Sequence, residues 1–277
     1  MSDGSASTSP LDASFARLGG QGRGGLLPYL TAGFPDLDTT RALLESLGQL
    51  ELAALEIGFP YSDSIADGPV IQASFYAALE RGVHVADIFA AVGSLSRAVR
   101  VPLMAMVSYS IVYRTGPARF VAACRDAGMV GLIVPDISLE EVPQLAELVA
   151  EAGLRLTLLI APTSTSQRRR QIAAACSGFV YYQSITGITG ERDRLPADLA
   201  QQVAELRSFT QLPVCVGFGI SRPEHVRSVC EVADGAIVGS AIVRRIMDAV
   251  AAGQSRPRLE EEVCQFVGEL LTGTQRP

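Results

Sequence analysis

Two carboxylic acids, Glu56 and Asp67, lie in the segment LEIGFPYSDSIADGP (residues 55–69) and are the groups in this chain best placed to do chemistry. Glu56 sits at the end of an apolar run, residues 52–57, of the kind that forms a buried strand. A loop rich in Gly, Pro, Ser and Asp follows, with Asp67 just ahead of Gly68-Pro69. An acid at the carboxyl end of a parallel barrel strand stands where catalytic groups stand, because the loops there form the open face of the fold. A second acid on the adjoining loop lets two carboxylates work on one substrate in different protonation states. The plainer alternative, solvated or capping acids in a polar turn, suits Asp63 better than it suits Glu56.

What the chain lacks narrows the chemistry further. It has no lysine, so every cationic side chain is arginine. Schiff-base aldolase chemistry and covalent pyridoxal phosphate catalysis both need a Lys amine and are excluded. The histidines, His84 and His225, fall at helix starts and read as surface or capping residues; two isolated histidines do not make a metal site. The cysteines (Cys124, Cys176, Cys215, Cys230 and Cys264) are widely spaced and odd in number, with no C-x-x-C pair, and read as buried free thiols. No metal or cofactor is expected. Carbon–carbon chemistry here would have to run on carboxylates and tyrosines.

A net charge of −6 argues against nucleic acid or an anionic membrane as the main partner. No apolar run approaches the ~20 residues that span a bilayer. The start, MSDGSASTSP, has neither a basic nor an apolar signal region and reads as a disordered tail on a cytoplasmic protein.

These groups need a frame, and the hydrophobic pattern describes one. Strands are predicted over 26–31, 52–58, 102–107, 130–135, 154–161, 179–184, 213–217 and 236–239. Helix-period stretches alternate with them at 39–47, 70–80, 85–98, 117–126, 139–151, 167–175, 197–207 and 224–231, and 241–251 and 259–271 close the chain. The strands are continuous apolar runs rather than alternating ones, as burial on both faces demands. Eight β/α units in about 250 residues match an α/β fold of the (β/α)8 TIM-barrel type. An open doubly wound sheet is the alternative, but the first strand lacks the G-x-G-x-x-G turn of a dinucleotide site. The domain reading is a tail over 1–10, one barrel domain over 11–271 with an extra helix at 11–18 before the first strand, and a short tail over 272–277.

Three glycine-bearing turns fall where such barrels bind phosphate. Ile188-Thr189-Gly190 follows the sixth strand, Gly217-Phe218-Gly219-Ile220-Ser221 the seventh, and Gly239-Ser240 the eighth. Glycine lets backbone N–H groups approach an anion, and Ser240 opens a helix whose first N–H groups favour phosphate. Each glycine could merely serve a tight turn. Together, at the loops that carry the common phosphate site of this fold, they point to a small phosphorylated substrate.

Six segments together carry a family resemblance: LLPYLTAGFPD (26–36), LEIGFPYSDSIADGP, GLIVPD (131–136), YYQSITGITG (181–190), VGFGIS (216–221) and GAIVGSAIVR (235–244). The chain resembles the α subunit of tryptophan synthase from about residue 11 to 271. That resemblance implies a retro-aldol cleavage of indole-3-glycerol phosphate to indole and glyceraldehyde 3-phosphate. It implies that Glu56 protonates indole C3 and takes a proton as the glycerol C3′ hydroxyl becomes a carbonyl. It implies that Asp67 accepts the indole N–H proton, and that Thr189 orients that aspartate from a mobile loop. Tyr181 matches an active-site tyrosine, Tyr29 an aromatic lining the indole pocket, and Gly190, Gly219, Gly239 and Ser240 the phosphate cradle.

The sequence also departs from the family. Ser64 stands where a proline usually follows Ser-Asp, Ser108-Tyr109-Ser110-Ile111 where Tyr-x-Asn-Pro is usual, and Ser138 where a proline usually lies two residues past the aspartate. These loops face the β subunit in the family, and two of the changes remove a loop-stiffening proline. They pose three alternatives: an ordinary α subunit with diverged contacts, a free-standing indole-3-glycerol phosphate lyase, or a weakly active phosphate-binding barrel that serves mainly as partner and activator of a β subunit. Ser108 also removes an aromatic hydroxyl from near the chemistry.

Overall fold

The computed structural model describes residues 9–64, 67–95, 98–184, 196–217 and 219–276. Eight strands form a closed, parallel barrel in sequence order. They are β1 (Gly25–Thr31), β2 (Leu55–Gly58), β3 (Leu103–Met106), β4 (Gly131–Val134), β5 (Arg155–Ile160), β6 (Val180–Gln183), β7 (Val214–Gly217) and β8 (Gly235–Val238). Around them run α1 (Pro10–Gly20), α2 (Leu37–Leu47), α3 (Pro69–Glu80), α4 (Val85–Gly93), α5 (Tyr109–Thr115), α6 (Pro117–Asp126), α7 (Val142–Glu151), α8 (Ser166–Ala175), α9 (Leu199–Arg207), α10 (Pro223–Cys230), α11 (Ser240–Ala251) and α12 (Arg256–Leu271). This is the (β/α)8 TIM barrel expected from the hydrophobic pattern.

Local signals set the helix starts. Ser9 accepts a hydrogen bond from the Leu11 N–H, and Asp36 accepts one from the Thr39 N–H, so each satisfies an otherwise open donor of a first turn. Proline opens α3, α6 and α10, where its missing N–H costs nothing. α1 begins at Pro10, so helical structure starts inside the segment that the sequence grouped with the tail. At the other end Gln275 bridges to Arg23, and Thr272–Thr274 form a 3-10 turn. Among the described residues no helix is long and apolar enough to cross a membrane.

The barrel has two apolar layers. Outward-facing strand residues such as Leu26, Leu30, Ile57, Leu132 and Val216 pack against the helices. Inside, Leu27, Met104, Ile133, Phe179, Tyr181, Cys215 and Ile237 form a second core, joined by Leu11 and Leu18 of α1. Phe15 of α1 sets its ring 6.0 Å from Phe179. The extra helix therefore plugs the amino-terminal end of the barrel. The open end is left for loops, and the inward face of β1 and β2 carries Tyr29 and Glu56 side by side in register.

Candidate active site

Glu56 is fully buried on β2, and among the described residues neither carboxyl oxygen has a hydrogen-bond partner. Burial pushes its pKa well above the usual carboxylate range, because a low-dielectric setting disfavours the charged form. The neutral form is the one this setting favours. Asp67, on the loop between β2 and α3, is pushed up to about 6, chiefly by burial, with a Tyr61 hydrogen bond opposing and Asp136 adding repulsion. It is ionised at neutral pH. Burial thus favours the neutral form of Glu56, while neutral pH favours the charged form of Asp67.

Tyr29 and Tyr181 complete the cluster. Both are buried and both phenols are raised, first by burial. The next influence on Tyr29 is Asp67, with Glu56 further down; Tyr181 feels Glu56 and then Asp67. Sequence-predicted Tyr29, Glu56, Asp67 and Tyr181 come together in the barrel mouth.

Two glycines make this possible, and neither was singled out for that role. A Cβ built on Gly58 would lie 1.9 Å from the Tyr29 hydroxyl, and one on Gly217 would lie 2.6 Å from the Tyr181 ring. Gly217, read above as part of a phosphate turn, is the last residue of β7 and clears space for Tyr181. The available signal was a glycine ending an apolar strand, which marks close approach by another group.

The phosphate-side candidates divide. Gly219 has φ +79°, a left-handed conformation that favours glycine. Gly239 is the N-cap of α11 without a side-chain cap, so the first N–H groups from Ser240 onward are open to an anion. A Cβ on Gly239 would meet Tyr29 only at 3.6 Å, an ordinary contact, so packing within the chain does not demand glycine there. Thr189 and Gly190 lie outside the described residues.

The loops that depart from the family are held by internal hydrogen bonds. Ser108 donates to Asp136 Oδ2 at 2.6 Å, the Tyr109 N–H donates to Oδ1 at 2.7 Å, and the Ser108 and Ser110 hydroxyls lie 2.8 Å apart. Ser138 donates to Glu141 at 3.1 Å. The Ser64 carbonyl accepts from Gln72 of α3 at 2.9 Å, and the same amide donates to the Asp67 carbonyl at 2.8 Å. Stiffness that proline would supply comes here from side-chain hydrogen bonds.

His84 precedes α4 as expected, and its N–H donates to Asp87. His225 is buried rather than on the surface, and its Nδ1 accepts from the Ser221 N–H, a capping role. Cys124, Cys176, Cys215 and Cys230 are buried free thiols, while Cys264 is half-buried.

The architecture and the sequence both have close counterparts. A family profile described as "Tryptophan synthase alpha chain" matches residues 15–271. The tryptophan synthase alpha chain of Rhodopirellula baltica is 47% identical over 89% of this chain and 90% of its own length. That of Chloroflexus aurantiacus is 42% identical over 95% and 98%. A solved structure of Mycobacterium tuberculosis tryptophan synthase superposes with a TM-score of 0.86 at 33% identity, covering 97% of this chain and 99% of that one.

Proposed function

The chain belongs to the tryptophan synthase alpha chain family, a lyase that cleaves indole-3-glycerol phosphate in tryptophan biosynthesis, and on that premise we propose that Glu56 and Asp67 are the two groups that carry the reaction. The observation that carries this reading is the fully buried carboxyl of Glu56, without a hydrogen-bond partner among the described residues, in the same cluster as Asp67 and the two tyrosines.

The steps follow from those states. Indole is a poor leaving group as its C3 carbanion, so C3 must be protonated before the carbon–carbon bond breaks. Neutral Glu56 supplies that proton, and the ring becomes a cationic indolenine. Asp67 stabilises the positive charge at the ring N–H and takes that proton as the charge is released. Glu56, now a carboxylate, accepts the C3′ hydroxyl proton while that carbon becomes the aldehyde and the bond electrons return to the ring. As the bond electrons return, Asp67 gives its proton back to the ring nitrogen, so that indole and glyceraldehyde 3-phosphate leave with Glu56 neutral and Asp67 ionised as at the start. Burial of the site keeps water from competing for these protons.

Tyr29 and Tyr181 line the indole pocket in this reading, and Gly219, Gly239 and Ser240 hold the phosphate, with the α11 N-terminus as the positive end. Thr189 and Gly190 join them through the family resemblance. The chain works in the cytoplasm and meets a β subunit through the loop bearing Ser64, the start of α5 at Ser110 and the loop bearing Ser138. A weakly active barrel acting mainly as an activator is not favoured, since both carboxyls are in place. Indole release from indole-3-glycerol phosphate by the purified chain, alone and with a β subunit, tests the whole reading. Turnover that climbs ten-fold or more with the partner is the expected result. Turnover on the order of 1 s⁻¹ alone, unchanged by the partner, would make it a free-standing lyase.

A further inference from the structure

α3 supports the surroundings of Asp67 at three points. Phe75 packs on the Tyr61 ring at 5.5 Å between centroids. Gln72 ties down the backbone of the loop at Ser64 and Asp67. Ser74 lies 2.7 Å from the Thr31 hydroxyl, and Thr31 donates to the Tyr29 hydroxyl at 3.4 Å. The Tyr61 hydroxyl donates to Asp67 Oδ2 at 3.4 Å. That is long for O–H···O, and contacts of this kind tighten when substrate binds.

We propose that Tyr61 is a positioning residue for Asp67, a phenol braced by α3 that orients its carboxylate toward the substrate N–H. The proposal rests on the assignment of Asp67 above and adds to it the group that makes Asp67 work. Tyr61 holds the direct contact and its ring is packed on Phe75. An ionised, largely buried carboxylate needs donors, and the Tyr61 bond favours the charged form against the burial that opposes it. Among the described residues, the other groups acting on Asp67 or on the phenols beside it are Asp136 from the loop after β4, Asp63 from the loop after β2, Glu56 from β2 and Tyr181 from β6. All of these are acids or phenols, so none replaces the lost donor with a positive charge.

The test is the pH profile of kcat/KM for indole release by the wild type and by Tyr61→Phe, Tyr29→Phe and the double variant. Phe keeps both rings and their packing and removes only the hydroxyls. The acid limb is expected to move up by roughly half to one pH unit in Tyr61→Phe, a loss of about three- to ten-fold below pH 6 that vanishes on the plateau. Tyr29→Phe, which removes no contact with Asp67, leaves the limb in place, and the double variant matches Tyr61→Phe. The substrate phosphate titrates nearby but is common to every variant, so only differences between profiles are read. A Tyr61→Phe profile superposable on that of the wild type, or a loss equal at every pH, would overturn the proposal. Asp67→Asn separates this from the underlying assignment. If that variant is nearly inactive while the Tyr61→Phe profile does not move, the positioning role fails alone. If it keeps more than about a tenth of the activity and the same acid limb, the assignment of Asp67 fails first.

Discussion

The two ends of the barrel treat their ionisable groups in opposite ways. At the amino-terminal end every charged group that packs under the barrel meets an opposite one. Arg155 at the start of β5 forks onto Asp12 of α1, Arg23 pairs with Glu51, and Arg207 and Arg276 share Asp234. Arg276 also donates to the carbonyls of Cys230 and Ala233. At the carboxyl-terminal end, two of the three orphaned buried side-chain atoms among the described residues are the oxygens of Glu56. A buried polar group without a partner costs stability, so a fold that satisfies one end and not the other keeps its unsatisfied group for chemistry. The lower end ties α1 and the chain's end to the barrel, and the upper end carries the cost of the acid proposed for the chemistry.

The sharpest way to break this contrast is to remove the orphan. Glu56→Gln should lower kcat by about 10³-fold or more while ligand affinity for the phosphate changes little. Glu56→Met should be equally inactive yet more stable by about 1–3 kcal/mol in urea unfolding, because an unpaired buried carboxyl is replaced by an apolar chain. Residual activity above a few per cent, or a loss of stability in the Met variant, would contradict the division.

A smaller effect is expected from disturbing the shape of the upper end. Gly58→Ala drives a methyl into the Tyr29 ring and hydroxyl. It should cost about 1–3 kcal/mol of stability and up to ~10²-fold in kcat/KM. Adding Tyr29→Ala should recover part of the stability, and a double-mutant cycle with no coupling would show that the contact is not the cause.

The pH dependence comes next. Asp67 must be ionised and Glu56 protonated, so kcat/KM should follow a bell that rises as pH passes about 6 and falls once Glu56 loses its proton at higher pH. Activity at pH 5 should be about ten-fold below that at pH 7. The stability consequence has a definite sign. The folded pKa of Asp67 lies above its unfolded value, so the native state holds the extra proton between them. Its contribution to stability is full below the unfolded value and lost as pH rises through about 6. Asp67→Asn should therefore raise Tm at pH 7.5 and leave it unchanged at pH 3. A gain at pH 3 as large as that at pH 7.5 would mean Asp67 is not the titrating group.

The smallest effect belongs to the lower end. Arg155→Ala should cost about 1 kcal/mol or less, as half-exposed ion pairs do, and leave turnover within two-fold of the wild type. A collapse of turnover there would show that the two ends are not separable.

Much of this contrast could be read before any coordinates existed, and the parts that could not share a cause. The eight strands were legible because burial on both faces writes a continuous apolar run, although β2 starts at Leu55 rather than at residue 52. α4 ends at Gly93, short of the predicted 98. α5 was missed, since its single turn pair buries only Val112 and leaves no periodic stripe to detect. Glu56 and Asp67 were legible from residue type and place. Tyr61, Ser74 and Gly58 were not, because their roles lie in contacts with residues distant in the chain: Tyr61 with Phe75, Ser74 with Thr31, Gly58 with Tyr29. His225 shows the same limit, capping as expected but buried.

The sequence by itself determined the barrel, the exclusion of lysine chemistry, the two acids and the family, because each is written in composition, period or a local motif. The tertiary structure alone decided that Glu56 has no partner among the described residues, that glycines admit the two tyrosines, and that α3 braces the loop holding Asp67. The reason is physical. A residue's type and period are local properties of the chain, whereas protonation state and positioning depend on which atoms from remote segments share one low-dielectric space.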